Sequence, residues 1–570
     1  MDKNHRPASF VILASLLIGS LVGCQPAASQ PQADLKTATI LIAEDPPSFN
    51  PLVTDTGYDY LAMEMVLLGL TDIDPNGNVF PELAAELPTV ENGGVTVDEE
   101  AGSMSVTWKM RQGVLWSDGE PVTAKDAVFT YEAIANPETG TWMPGIDSIE
   151  SVELVDDYTF VVNYSSIYPS YLTQFGGELI AIWPAHYCNA GQGFMVWDCN
   201  RQPLSSGPFV LSEWVEGDHL TFTKNEKYFG ASDGKPHLDQ VIVQIVPDEN
   251  SRKQQMLNGN GDVDMWINQN TINDLEGSET VVASLSPTDR WNVRLWLNNA
   301  AKGTTDASAT PHPILSNVEV RRAVRMAINT EVIIEEIFNG YPHPVWTEFF
   351  REPYNSCGIP QPVYDPEGAK AKLEEAGWVD ADGDGVRECK NCGTAEDGTL
   401  MEIALQTYSG YGEPMELSLQ LVGEQLSAIG FKVNLAVIED SVLWGDYESG
   451  GIEQNGDFDI DMWDDGYFGT NPTDFIWEFY SEEAAQPGFG WNITRWVNPE
   501  FNALLDESYT LDAAKQKEVF CEMARILDEE VPSIPLFTIV NSDAYSARML
   551  NVQSNVNDII TWNVADWDIK

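Results

Sequence analysis

The chain has 570 residues, 43% of them hydrophobic and 10% aromatic, which is too long for one core and too apolar for a disordered chain. Thirty Lys and Arg stand against 89 Asp and Glu, a formal charge of −59 at pH 7. Nucleic acid is excluded as a partner, because neutralising phosphates takes clustered cations. The charge could draw in cationic ligands, although its commoner role is to keep a solvated surface soluble.

In chain order, Lys3 and Arg6 precede an apolar run from Phe10 to Gly23. The run is too short to span a bilayer as a mature helix and has the length of a signal h-region. It ends Leu21-Val22-Gly23-Cys24, and residues 25–36, rich in Pro, Ala and Gln, read as a flexible tether. No later stretch is long and apolar enough to cross a membrane. Ala38–Ile42 reads as a strand, Tyr60 to Leu70 as a helix, and Asp74-Pro75-Asn76-Gly77 as a hairpin turn. Val106, Trp108 and Met110 alternate with Ser105, Thr107 and Lys109, the period of a half-buried strand. Ser117-Asp118-Gly119 is turn chemistry. Thr123 then stands as the N-cap of a helix carrying Ala127, Val128 and Tyr131 on one face. Glu150 to Val162 reads as a hairpin around Asp156-Asp157.

The segments Arg111-Gln112-Gly113, Trp116-Ser117-Asp118-Gly119 and Pro121 to Asp126 resemble the signature of the family 5 extracellular solute-binding proteins, the oligopeptide- and dipeptide-type receptors of ABC importers. Further stretches are similar to that family's pattern: Pro46 to Leu52, Ser206 to Leu211, Lys224 to Phe229, Val241 to Pro247, Val318 to Asn329, Asp365 to Trp378 and Pro532 to Phe537. The likeness runs from about residue 37 to 550. It implies an α/β, type II periplasmic-binding-protein fold: two lobes joined by a hinge, plus an extra small α+β domain. The implied division is a lipoprotein signal peptide over 1–23, a tether over 24–36, lobe I over 37–74, the small domain over 75–204, lobe I again over 205–290, lobe II over 291–534 and lobe I over 535–570. The hinge crossings fall near 291–300 and 525–537. Leu21 to Cys24 resembles the bacterial lipoprotein box, which implies lipid on Cys24 and an extracytoplasmic protein anchored to the cell membrane. The resemblance further implies a monomer without cofactor or catalysis, with a peptide or other small solute as ligand and a membrane permease as partner.

Phe458 to Phe475 resembles the segment by which this family's second lobe faces the cleft. In peptide receptors of the family an acid within it holds the peptide's amino terminus. The ungapped register puts Phe468 at that acid, which favours an uncharged or sugar-like ligand; Asp464 or Asp465 could substitute only after a local shift. Trp444, Trp463, Tyr467 and Phe468 are candidate stacking faces, and Asp55, Thr56, Gly57 and Tyr58 occupy the family's first-lobe cleft loop.

Asp380, Asp382 and Asp384 match the first half of an EF-hand loop, but its twelfth position is Asn391 instead of a bidentate Glu, so an acidic turn is favoured over calcium. Seven cysteines leave six after Cys24, an even number that suggests disulfides in an exported chain. Cys188 and Cys199 are the expected pair; Cys389 and Cys392 form a CxxC, read as a small disulfide or reducible pair; Cys357 and Cys521 are left unconnected. HExxH, GxSxG and P-loop motifs are absent. An exported hydrolase of oligosaccharide or peptide is the rival reading, and a surface adhesion protein a second.

Overall fold

The computed structural model describes residues 35–54, 56–136, 143–177, 179–188, 193–275, 277–467, 469 and 471–570. Cys24 and the signal segment lie outside them. Lys36–Lys570 form one compact unit, built on a ten-stranded sheet. Thr37–Ile42, rich in β-branched residues and buried at Ala38, Ile40, Leu41 and Ile42, pairs in parallel with Gln240–Ile245 and with Val263–Asp264. His219–Lys224 and Phe209–Val215 complete that end of the sheet. At the opposite end lie Ile460–Gly466, Glu402–Tyr408 and, at the edge, Lys432–Ile438.

Two long antiparallel strands, Val281–Leu297 and Ser533–Ser546, join the two ends. Their ladder runs from Val281 opposite Ser546 to Pro287 opposite Val540, breaks, and resumes at Asn292 opposite Thr538. Proline has no N–H to give a ladder, so Pro287 is suited to such a break. A second register shift, between Val293 and Arg294, lies opposite Pro535.

Beyond the break the period of two sorts side chains onto two cores. Val293, Leu295 and Leu297 enter one with Ile460, Met462, Ile534 and Leu536. Trp296 and Trp463 point to the other, an aromatic cluster around Phe479, Tyr480 and Phe520. Before the break, Ile40, Phe222 and Val241 share a third core with Met549, Ile560 and Trp567 from the end of the chain.

The small α+β block carries a four-stranded sheet in the order Val95–Asp98, Ser103–Lys109, Thr159–Tyr164, Ile149–Asp156. Val106, Trp108 and Met110 are buried, as their alternation predicts. The helix Ala124–Ile134 starts at Thr123, whose N–H donates to Asp126 at 2.8 Å. The hairpin Thr71–Ile73/Val79–Pro81 turns where expected. The helix Tyr58–Val66 stops short of Leu70, because Leu67 takes up extended backbone.

Val106, Trp108 and Phe160 belong to the same core as Ile40 and Phe222, so the small block packs directly on the first half. The returning strand packs in the second half at Leu536 and Phe537 and passes the ladder's interruption at Thr538–Val540, opposite Pro287–Asn292. Apolar alternation through Phe537 keeps the strand in that core.

Cysteines 188 and 199, 357 and 521, and 389 and 392 are bonded in pairs. Asp380, Asp382 and Asp384 are exposed, and their carboxylates accept the backbone N–H groups of Gly383, Gly385, Asp384 and Val386. Those bonds are what an acidic turn needs. The disulfides span very different loops, with separations of 11 residues for Cys188–Cys199 and 164 for Cys357–Cys521. Chain entropy then gives about 3 kcal/mol for the short loop and about 5 kcal/mol for the long one. Thermal unfolding of the two double-serine variants should show the larger loss for Cys357/Cys521; the reverse order would mean that native-state strain outweighs loop closure.

Candidate functional site

At the junction of the two halves lies a cleft of about 1680 Å³, lined from one side by Thr56, Gly57, Tyr168 and Trp266 and from the other by Asp464, Asp465 and Glu478. The first wall is set by the start of the helix Tyr58–Val66. Gly57 has φ 78°, and Asp59 holds the loop by accepting the Thr54 hydroxyl at 2.6 Å and the Thr56 N–H at 3.1 Å. The opposite wall is the end of the strand Ile460–Gly466 and the helix Thr473–Tyr480.

Of the residues singled out in the sequence, Thr56, Gly57, Trp444, Trp463, Asp464, Asp465 and Tyr467 all reach the cleft. Tyr58 does not line it; its ring sits 5.0 Å from that of Trp266. Asp55 and Phe468 lie outside the described residues. Trp463 is only 4% exposed and donates its indole N–H to Glu453 at 2.7 Å. Tyr467 is buried beneath the Arg351 guanidinium, 5.0 Å from its ring centre. Both aromatics are therefore mainly core. Trp444 is half-buried against Tyr408.

The second wall concentrates carboxyls. Asp464 accepts the Tyr408 hydroxyl at 2.6 Å, and burial raises it against that bond. Burial pushes Asp465 up to about 7, with Arg294 opposing. Glu478 rises to about 8 through burial and the nearby charges of Asp465 and Asp474. Asp474, raised by burial to about 6, accepts the Tyr168 hydroxyl at 2.9 Å across the cleft. Arg294 is fully buried behind this wall, 3.2 Å from Glu348 and donating to the Asp465 carbonyl at 3.0 Å. Arg290 lines the cleft with its guanidinium 4.8 Å from the Trp291 ring centre.

Asp474, Glu478, Tyr168, Arg290 and Trp266 were not singled out in the sequence. Asp474 and Glu478 stand four apart on one helix face, a spacing that would have paired them once the helix was drawn. Trp266 follows a two-residue strand and carries no periodic signal.

Two α/β halves joined through one sheet, with a deep cleft at their junction, define a two-lobed binding protein. Residues 78–487 match the bacterial extracellular solute-binding proteins, family 5 (middle region), and the chain belongs to that family. It is thus an extracytoplasmic solute-binding protein of the transport type and not an enzyme. It is 24% identical over 491 residues to the oligopeptide-binding protein AppA of Bacillus subtilis, covering 83% of this chain and 80% of that one. It is 24% identical over 549 residues to heme-binding protein A of Haemophilus influenzae, covering 89% and 88%. The fold is shared with NikA of Brucella suis, solved with Fe(III)-EDTA: the TM-score is 0.76 at 21% identity, over 94% of this chain and all of that one.

The raised carboxyls set a pH dependence. In an unfolded chain Asp and Glu titrate near 4, whereas Asp474, Asp465 and Glu478 titrate at about 6, 7 and 8 when folded. Over that window the folded state binds more protons, so their contribution is full at low pH and is lost as pH rises. The melting temperature of ligand-free protein should therefore fall from pH 5 to pH 8, and fall less in Asp465→Asn/Glu478→Gln. A rise over that range, or an identical slope in the variant, would contradict the assignment.

Proposed function

We propose that this protein is the membrane-anchored receptor of an ABC importer, capturing a peptide or other small organic solute in the cleft and delivering it to the permease. The carrying observation is the joint between the halves. One ladder of two strands connects them, and it is interrupted between Pro287 and Asn292. Each half keeps its own core on its own side of that interruption, so rotation about it need not break either core. Cleft groups come from both halves, and the Tyr168–Asp474 bond can form only when they are close. A ligand that touches both walls would favour the closed form by its extra contacts there, which is a hinge-type population shift. The lobe division and the candidate cleft residues given above are part of this reading.

The ligands for which the relatives are named, an oligopeptide and heme among them, support a small organic solute without fixing its class. The carboxyls of the second wall that line the cleft suit a ligand with several hydrogen-bonding groups. Membrane anchoring rests on the Leu21 to Cys24 box behind a short apolar run, and more than one acyl chain is needed for stable attachment.

Solutes released on denaturing protein purified without unfolding should be identifiable by mass spectrometry. Adding them back should shrink the radius of gyration in X-ray scattering. Finding neither a released solute nor compaction with any added solute would overturn the receptor reading. Separately, Cys24→Ser should move the protein from the membrane fraction to the soluble extracytoplasmic fraction; continued membrane retention would remove the anchor and leave the receptor intact.

A further inference from the structure

We infer that Trp266 is a ligand-contacting platform of the cleft, and that the solute carries a flat ring whose apolar face stacks on it. The inference rests on the receptor reading above and narrows the class of its ligand.

Trp266 combines two unfavourable features. Its φ is 55°, in the left-handed region that bulky side chains avoid. Its side chain, large and apolar, is left 40% exposed and faces the cleft. Six described non-glycine residues have positive φ, and the other five have local explanations. Asn339, Asn391 and Asn551 are of the type that tolerates this backbone. Val531 caps the helix Ala513–Glu530 and is fully buried. Arg495 is buried, with its guanidinium donating to the Glu453 and Gln454 carbonyls. For Trp266 neither burial nor residue type accounts for the backbone. Strain kept where packing does not require it points to function.

The surroundings are built to hold the ring in place. A Cβ at Gly57 would lie 2.0 Å from the Trp266 Cη2, so the ring edge rests where only glycine leaves room. Tyr58 packs its ring at 5.0 Å, tilted 54°. The Trp266 N–H donates to Asp543 at 3.2 Å, fixing the backbone from below. Glycine, tyrosine and aspartate together fix the indole while leaving part of it open to the cleft. A fixed, partly open indole is a stacking surface for an aromatic ring or for the C–H face of a pyranose. Residues Asp465 and Glu478 on the other wall offer hydrogen-bonding partners for the rest of such a solute.

The two ring sources are separated by calorimetry with cellotriose, Ala-Phe-Ala and Ala-Ala-Ala as probes, on wild type, Trp266→Phe, Trp266→Ala and Trp266→Gly. At least one ring-bearing probe should bind wild type ten or more times tighter than Ala-Ala-Ala. Trp266→Phe should keep that affinity within about threefold, while the alanine and glycine variants lose it tenfold or more. Glycine accepts the left-handed backbone, so Trp266→Gly should retain the wild-type melting temperature and show that the loss is one of contact. Cellotriose as the preferred probe would assign a sugar, and Ala-Phe-Ala an aromatic side chain. Equal binding of Ala-Ala-Ala, unchanged affinity in Trp266→Ala, or no binding of either ring-bearing probe would overturn the inference. Any of these, with a solute still released from the denatured protein, leaves the receptor reading standing; no released solute together with no compaction by any added solute would remove both.

Discussion

The structure depends on two strands that must serve two cores at once. Val281–Leu297 and Ser533–Ser546 form one antiparallel pair, yet Val281 and Ala544 pack beside Leu41 and Ile272, while Leu295 and Leu536 pack beside Ile460 and Met462. Buried apolar area of roughly 25 cal/mol per Å² holds each end in its own half. Between these two ends the ladder is interrupted, between Pro287 and Asn292. Secondary elements on each side can then be exchanged in detail without altering how the halves are joined.

The cleft shows how an acidic chain manages carboxyls out of water. At −59 the surface acids are solvated, but Asp465 and Glu478 are only partly so, and a carboxylate drawn out of water takes up a proton more readily. Arg294 lies close enough to oppose the rise of Asp465, but its own ion pair is with Glu348. At neutral pH the wall therefore presents a mixture of protonated carboxyls, which donate hydrogen bonds, and ionised ones, which accept them. A ligand with both kinds of group meets both kinds of partner. Elsewhere in the second half burial likewise raises Glu453, with Asp461 adding to it, and Asp461, with Asp459 adding and Glu453 opposing, and Trp463 donates to Glu453.

Much of this was legible in the sequence. Period-two alternation located Ser103–Lys109, the capping residue located the helix at Ala124, and the turn dipeptides located two hairpins. The parity of the cysteines announced disulfides, but the partner of Cys357 required a 164-residue approach that no local pattern encodes. The cleft segment around Asp464 and Asp465 was visible through its likeness to a family pattern. Trp266 was not, because its position follows from backbone conformation and from the absence of a side chain at Gly57, some two hundred residues earlier. Tryptophan-rich chains hide such residues: Trp296 and Trp378 are fully buried, and nothing in residue type separates them from Trp266. The fused packing of the small block was hidden for a related reason, since strand order does not say which faces meet.

The core that contains Ile40 also contains Met549, Ile560 and Trp567. The beginning of the chain thus cannot complete its packing until almost the last residue has been made. By contrast, the second half needs nothing beyond Phe537 for its main apolar contacts. Assembly order is therefore inverted relative to synthesis: the half encoded later can close first, and the half encoded first pairs its strands early but must wait to complete its core. During that interval the part of this core completed by Met549, Ile560 and Trp567 stays open, and removal of the residues that carry them would leave it open.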